Sequence, residues 1–264
     1  MLQSLVVAAG QGNVRGCRRA LGRGESVNQA NIGGFTPLFI AAQEGHLDVC
    51  RLLVTEGAAD VNQAFSDGAT PLFTACEKGH LDVCRLLVTE GAADVNKAAT
   101  IGATPLFTAC EKGHLDVCRL LVTEGAADVN QAESGGATPL FIASQNGHLD
   151  VCRLLVTEGA ADGNQATSND EALGALKAST PLLAAAMAGH KYVVKLLIRH
   201  GAKSTGLLQS VATGEAASYL AEKQCAACGA VGHTMACAGC GSVSYCSRAC
   251  QKQDWRAHKQ ACQR

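Results

Sequence analysis

Apolar residues recur at helical spacing through the stretch between Leu47 and about Glu56. Val49, Leu52 and Leu53 fall on one face of that stretch, and polar residues fall between them. This spacing predicts an amphipathic helix that buries one side.

A shorter, alanine-rich apolar stretch comes just before it, from Leu38 to about Gln43. Thr36 can cap a helix here with its hydroxyl, and Pro37 suits the first helical position, where an N–H would have no helical partner. Gly45 is placed to end the helix. The pattern therefore predicts a short helix, a tight turn and a second helix.

The same pattern recurs along most of the chain. Thr-Pro-Leu begins at Thr36, Thr70, Thr104, Thr138 and Thr180, at intervals of 34, 34, 34 and 42 residues. The string Gly-His-Leu-Asp-Val-Cys-Arg-Leu-Leu-Val-Thr-Glu-Gly recurs from Gly45, Gly79, Gly113 and Gly147. One such unit cannot bury its apolar face alone, so units of this kind stack. We predict a mainly α-helical solenoid of paired helices joined by β-hairpin loops.

The recurrence also divides the chain into a repeat domain over residues 1–222 and a small domain over residues 225–262. Within the first we expect a degenerate capping repeat at about 2–31, repeats near 34–67, 68–101, 102–135 and 136–166, an insert at 167–179, a repeat at 180–204 and a capping helix at 207–221. Ser168 and Glu171 have capping-box spacing, so the insert is predicted to contain a helical turn.

Composition and charge narrow the function classes. Hydrophobic residues make up 47% of the 264 residues and aromatic residues only 4%, which suits small helices packed closely. The net charge of −1 gives no electrostatic case for binding nucleic acid. From Lys223 onward there are six basic residues and one acidic residue, whereas 16 basic and 22 acidic residues precede it. The end of the chain therefore differs in kind from the rest.

No targeting or membrane-spanning segment is evident. Residues 1–9 are apolar but lack a basic start and a cleavage site. No apolar run approaches the roughly 18 residues that a membrane span needs. We therefore predict an intracellular monomer, in the cytoplasm, the nucleus or both, in which disulfides are not expected.

The 14 cysteines fall into two groups. Seven lie in the repeats, four of them at equivalent positions of the second helix: Cys50, Cys84, Cys118 and Cys152. Cys76 and Cys110 take a first-helix position where other repeats carry Ala42 and Ser144, so no thiol chemistry is required there. We interpret the repeat cysteines as small apolar core residues. A thiol ladder for metal binding or redox chemistry is the alternative.

The other seven cysteines and one histidine are spaced like metal ligands. They run Cys225-x2-Cys228-x8-Cys237-x2-Cys240-x5-Cys246-x3-Cys250-x7-His258-x3-Cys262. Gaps of two or three residues let neighbouring ligands turn toward one ion, and eight such donors fill two tetrahedral zinc sites with no open position. We predict two structural Zn²⁺ ions. Spacing alone leaves open whether the ligand pairs interleave or follow in sequence.

The repeats resemble the ankyrin repeat in the order of Thr-Pro-Leu, Gly-His and Gly-Ala…Val-Asn. Phe39 and its equivalents stand where a His is usual, and each unit has one extra residue, at Ala58-Ala59 and its equivalents, which predicts a slightly altered loop. The resemblance implies a concave protein-binding face lined by hairpins and first-helix ends. The otherwise similar repeats differ there, at Phe65, Asp67, Glu77, Lys78, Thr100, Ile101, Glu111, Lys112 and Glu133. Neutral drift at exposed positions is the alternative explanation.

The cysteine-rich segment resembles the MYND finger over essentially all of 225–262. Beyond the ligand spacing, the resemblance rests on Tyr245-Cys246-Ser247, Cys250-Gln251 and Asp254-Trp255-x2-His258. It implies interleaved pairing, with two ligand sets: Cys225, Cys228, Cys246 and Cys250 for one zinc, and Cys237, Cys240, His258 and Cys262 for the other. It also implies a groove for proline-containing peptides beside Gln251 and Trp255. Alternatively, Trp255 only packs the small core, and Ala238 departs from the Ser of some peptide-binding members.

These features favour an adaptor without catalytic activity. One protein would bind the repeats, and a proline-containing peptide would bind the finger. A methyltransferase carrying such a finger is disfavoured, because no stretch remains for a cofactor-binding catalytic domain. A RING-like accessory role in ubiquitin transfer and a role as a transcriptional co-regulator stay open as alternatives.

Overall fold

The computed structural model describes residues 4–168, 179–203, 208–222, 235–236 and 244–245. This part of the chain is mainly helical. The helices are α1 (Leu5–Gly10), α2 (Val14–Gly22), α3 (Pro37–Gln43), α4 (Leu47–Thr55), α5 (Pro71–Lys78), α6 (Leu81–Thr89), α7 (Pro105–Lys112), α8 (Leu115–Thr123), α9 (Pro139–Asn146), α10 (Leu149–Thr157), α11 (Pro181–Met187), α12 (Lys191–Arg199), α13 (Leu208–Val211) and α14 (Gly214–Glu222). Two short strands follow, β1 (Met235–Ala236) and β2 (Ser244–Tyr245).

Each first helix of a repeat begins as its Thr-Pro dipeptide predicts. In α7 the Thr104 hydroxyl accepts a hydrogen bond from the Phe107 N–H at 3.1 Å, and Pro105 is the first helical residue. The helix ends at Gly113, whose φ of +78° lies in the left-handed region that glycine adopts without strain. The same cap and the same proline recur in α3, α5, α9 and α11.

The helices form two layers. The first helices of successive repeats pack side by side in one layer and the second helices in the other. Between the layers lies a core of Leu, Val, Ala and Cys, in which Leu72 and Leu87 have no exposed surface. The repeat cysteines are all buried in this core, which confirms their interpretation as core residues: Cys17, Cys50, Cys76, Cys84, Cys110, Cys118 and Cys152.

A histidine after each turn fixes one repeat to the preceding one. The Nε2 atom of His114 lies 3.0 Å from the carbonyl oxygen of Glu77, one repeat earlier. The imidazole packs on Gly79, where a Cβ atom would approach the ring to 2.7 Å. The recurring Gly-His pair therefore serves repeat-to-repeat contact.

The loops between repeats are tight turns. In one of them the Ala99 N–H donates to the Ala103 carbonyl at 2.9 Å, and no strand occurs in the described part of the repeats. The Gly102 N–H also donates to the Ala99 carbonyl at 2.8 Å, so the expected β-hairpins are reduced to short turns closed by backbone hydrogen bonds.

The extra residue of each repeat has a definite structural place. Ala92 follows helix α6 with a φ of 52°, in the left-handed region. The flanking residues close the helix end, because the Gly91 N–H donates to the Leu86 carbonyl and the Ala93 N–H to the Leu87 carbonyl. The slightly altered loop predicted from the sequence is therefore a left-handed turn at the helix end.

The single capping helix expected at 207–221 is divided into α13 and α14. The break occurs because Thr213 donates from its N–H to the Ala186 carbonyl and from its hydroxyl to the Met187 carbonyl. The helical turn expected within 167–179 falls on residues outside those described. The two ends of this insert are joined by a hydrogen bond of 2.9 Å from the Thr167 N–H to the Ser179 carbonyl.

Candidate functional site

The predicted protein-binding residues of the repeats lie at two kinds of position. Phe65, Asp67, Thr100, Ile101 and Glu133 belong to the loop tips that precede the first helices. Glu77, Lys78, Glu111 and Lys112 lie in the last turns of first helices α5 and α7.

The loop tips are tied to one another across repeats. The carbonyl of Asp67 accepts from the Thr100 N–H at 2.7 Å and from its hydroxyl at 2.6 Å. One repeat further on, the carbonyl of Ile101 accepts from the Ser134 N–H at 2.9 Å and from its hydroxyl at 2.7 Å. The tips therefore form a row held by backbone contacts, which fixes the spacing of any side chains they present.

Several tip side chains are used within the loops. A carboxylate oxygen of Asp67 accepts from the Ala69 N–H at 2.9 Å. Glu133 accepts from two N–H groups of its own loop, those of Gly135 and Ala137. By contrast Ile101 exposes 63% of its surface. Among the predicted tip side chains, Ile101 therefore offers the largest exposed apolar surface to a partner.

Phe65 lies in an aromatic cluster that the sequence only partly revealed. Its ring stacks on Phe35 at 4.7 Å between centroids, with an angle of 5° between the planes. It also contacts the Phe39 ring of α3 at 5.6 Å, so this tip lies against a first helix. The sequence analysis did not single out Phe35. A signal was present, because the equivalent position in later repeats carries alanine, as at Ala69 and Ala103.

A second apolar residue that the sequence reasoning missed is Ile32, at the first loop tip. It is fully exposed in the structure. The signal was available, because the equivalent tip positions in the later repeats are polar, as at Ser66 and Thr100.

The first-helix ends present charged side chains. A carboxylate oxygen of Glu77 lies 3.5 Å from Lys78 Nζ, and a carboxylate oxygen of Glu111 lies 3.3 Å from Lys112 Nζ. Roughly half of each lysine side chain is exposed. Exposed pairs of this kind contribute only about 0–1 kcal/mol, so a partner can replace them. The two lysines are thus charges available for binding.

The second-helix layer offers a different surface. Arg51, Arg85 and Arg119 each pair with a glutamate of the next repeat: Glu90, Glu124 and Glu158, at 2.6–2.7 Å. These charges neutralise one another and recur unchanged from repeat to repeat. Differences between repeats are therefore concentrated at the loop tips and first-helix ends.

The described repeat residues were also compared with the arrangements that hold metal ions. No group of three or more His, Cys, Asp or Glu side chains is placed there to hold a metal. Burial raises the pKa of Cys50 and of Cys152 to about 12. Both therefore stay protonated and are poor nucleophiles at neutral pH.

The cysteine-rich segment is described only through β1 and β2. These strands are antiparallel, with Met235 opposite Tyr245 and Ala236 opposite Ser244. The eight predicted ligands, Ala238, Gln251 and Trp255 lie outside the described residues. The ligand chemistry fits zinc, because seven thiolates and one imidazole are the donors that structural zinc sites use. The ligand set stays a prediction.

No helix in the described ranges is long and apolar enough to cross a bilayer.

Models of two known families match the chain. A model of three ankyrin repeats matches residues 5–99 and 92–167, which together exceed half of the chain. A single ankyrin-repeat model matches residues 179–205. A MYND finger model matches residues 225–262. No curated protein matched the chain in a sequence search.

Proposed function

We propose that this chain, which belongs to the ankyrin-repeat family and carries a zinc-binding MYND finger, works as a non-catalytic adaptor. Both are protein-interaction modules, so its partners are proteins. In the proposal, one partner binds the loop tips and first-helix ends of the repeats. A proline-containing peptide of another protein binds the finger.

One observation carries the first half of the proposal. The repeats are nearly identical along their second helices, yet they differ at the loop tips and first-helix ends. The tips are held in register by bonds such as that from Thr100 N–H to the Asp67 carbonyl at 2.7 Å. A preorganised row that displays different side chains at each step suits recognition of an extended protein surface.

The second half of the proposal concerns the finger. Two zinc ions would be held by the two predicted ligand sets, with no coordination position left for chemistry. Zinc would supply the folding free energy that so short a segment cannot gain from burial alone. Trp255 and Gln251 would then flank a groove for a proline-containing strand, because an aromatic platform suits such peptides.

Absence of catalysis is part of the proposal. The alternative of a RING-like role in ubiquitin transfer makes a different prediction for the purified chain. Incubation with activating and conjugating enzymes, ubiquitin and ATP should leave the adaptor without chains on itself or its partner, whereas robust chain formation would support the alternative.

The peptide-binding half is tested on the full-length, zinc-loaded chain with an array of proline-containing peptides. Trp255→Ala should weaken the best binder at least tenfold, since an aromatic anchor at the centre of a site typically contributes about 2 kcal/mol or more. Zinc content, measured in the same samples, should be unchanged. The matched control is Tyr192→Ala, which removes an aromatic side chain that is 62% exposed on α12. Equal affinity for both variants would argue against the groove.

A further inference from the structure

Two pairs of cysteines in the repeat core lie in direct contact. The Sγ atoms of Cys76 and Cys84 are 3.6 Å apart, and so are those of Cys110 and Cys118. All four side chains have no exposed surface. A disulfide has a sulfur–sulfur distance of about 2.05 Å, so each pair would need to close by about 1.5 Å.

Each pair lies within a single repeat. One cysteine is on the first helix, α5 or α7, and the other is on the second helix, α6 or α8. Successive repeats place equivalent cysteines on neighbouring helices, about 8–10 Å apart. The sulfur–sulfur contact within one repeat is much shorter than the distance between successive second helices. The second-helix positions alone therefore give no sign of it.

The neighbouring repeat provides a reference site with the same geometry. In the fourth full-length unit Ser144 takes the first-helix position, and its hydroxyl lies 3.6 Å from the Cys152 sulfur. The first unit has Ala42 there, beside Cys50 on the second helix. Paired thiols therefore occur in the two central repeats, between units in which no bridge can form.

We infer that Cys76–Cys84 and Cys110–Cys118 are two modification sites, at which a peroxide-class oxidant forms a disulfide that joins the two helices of one repeat. In the first step a thiolate attacks a peroxide oxygen, the O–O bond breaks, and a sulfenic acid and hydroxide form. In the second, the partner thiolate attacks the sulfenic sulfur, the S–S bond forms and hydroxide leaves. Overall two thiols lose two electrons and two protons, and one peroxide becomes two waters.

The folded stack itself controls access to these sites. Burial raises the pKa of Cys76 and of Cys110 well above the ordinary value, so little thiolate is present in the closed repeat. Oxidation then requires a local opening that admits water and oxidant. The bridge is expected to form faster under conditions that loosen the central repeats while leaving the rest of the fold intact.

The test uses the full-length chain treated with dilute hydrogen peroxide, with and without urea below the unfolding transition. Free thiols are then blocked, and the chain is digested with trypsin for mass spectrometry. Trypsin cleaves after Lys78 and Lys112, which separate the members of each pair. We expect linked peptides 52–78 with 79–85 and 98–112 with 113–119, forming several-fold faster in urea, while helical circular dichroism is retained.

Variants assign the bridges, because peptides 79–85 and 113–119 have the same sequence. Cys84→Ser should remove the link to peptide 52–78 and leave the link to peptide 98–112. Ser144→Cys should add a third bridge, within peptide 120–153. The inference would be overturned if Cys76 stayed linked in the Cys84→Ser variant, if the thiols were blocked without bridging, or if urea did not change the rate.

Discussion

At the scale of single residues, four alanines adopt a backbone conformation that L-residues avoid. They are Ala58, Ala92, Ala126 and Ala160, each with a φ of 52°. The left-handed conformation raises the energy of a residue with a Cβ atom by about 1–2 kcal/mol. The repeats keep this strain at the same place, where the extra residue closes the second helix.

Replacement of one of these alanines by glycine should therefore stabilise the repeat stack. Ala92→Gly is expected to raise the free energy of unfolding by about 0.5–1 kcal/mol, since relief of strain exceeds the added flexibility of the unfolded chain. Urea unfolding followed by circular dichroism measures the change. The control is the next residue: Ala93→Gly should lower stability, and a loss of the same size in both variants would contradict the account of the turn.

The buried thiols predict how stability depends on alkaline pH. The pKa values of Cys50 and Cys152 are about 12 in the folded chain, compared with about 8.5 for an unperturbed thiol. Because the folded values are raised, the stability contribution is complete below about pH 8.5 and is lost as pH rises toward 12. Each thiol should lower the free energy of unfolding by up to about 1.4 kcal/mol per pH unit in that window.

Urea unfolding between pH 8 and 11 tests this dependence. Cys152→Ala should show a shallower decline than the parent chain, because one of the titrating thiols is gone. Identical slopes for parent and variant would show that the Cys152 thiol remains accessible to base in the folded stack.

Residue types predicted local structure well where that structure depends only on residues close by in the sequence. Thr36, Pro37 and Gly45 could be assigned to a cap, a first turn and a helix end, since those roles depend on the residue and its immediate neighbours. The contact of Phe35 with Phe65 was missed, because it joins loops of two different repeats.

At the scale of helices, the threonine caps begin the first helix of each repeat. Thr104 is 1% exposed, and its hydroxyl accepts from the Phe107 N–H. Thr104→Ala should lower the free energy of unfolding by about 1–2 kcal/mol, because a partly buried N–H loses its partner. Thr123→Ala is the control, since its exposed hydroxyl only bonds back to the Arg119 carbonyl. It should change stability by less than about 0.5 kcal/mol, and equal losses would contradict the capping role.

Helix bounds were predictable where the repeat period applied, and less so beyond it. The segment at 207–221 has no repeat to compare with, and we expected one helix there. Its break depends on bonds from Thr213 to the carbonyls of Ala186 and Met187 in another helix. Contacts of that kind cannot be inferred from local propensity.

At the scale of the whole molecule, the sequence indicated both the repeat domain and the finger. Strict periodicity and ligand spacing extend over many residues, and both can be recognised without knowing which residues are in contact. It could not show which loop-tip side chains are used internally. Asp67 and Glu133 looked like candidates for binding, yet both accept hydrogen bonds within their own loops. Ile101 is exposed in the same row and is the stronger candidate.

We propose that the chain has two independent protein-binding surfaces. The most direct test captures proteins from cells on the full-length chain and quantifies them by mass spectrometry in parallel for three variants. The first carries Ile101→Asp with Lys112→Glu, and the second carries Trp255→Ala. The matched control carries Tyr192→Asp with Arg153→Glu, which replaces one exposed apolar residue and one cation on second helices.

The first variant should lose one set of proteins and Trp255→Ala should lose another, while the control should retain both. Loss of the same proteins by the first two variants would contradict two independent surfaces. Equal retention by the first variant and the control would contradict binding at the loop tips and first-helix ends.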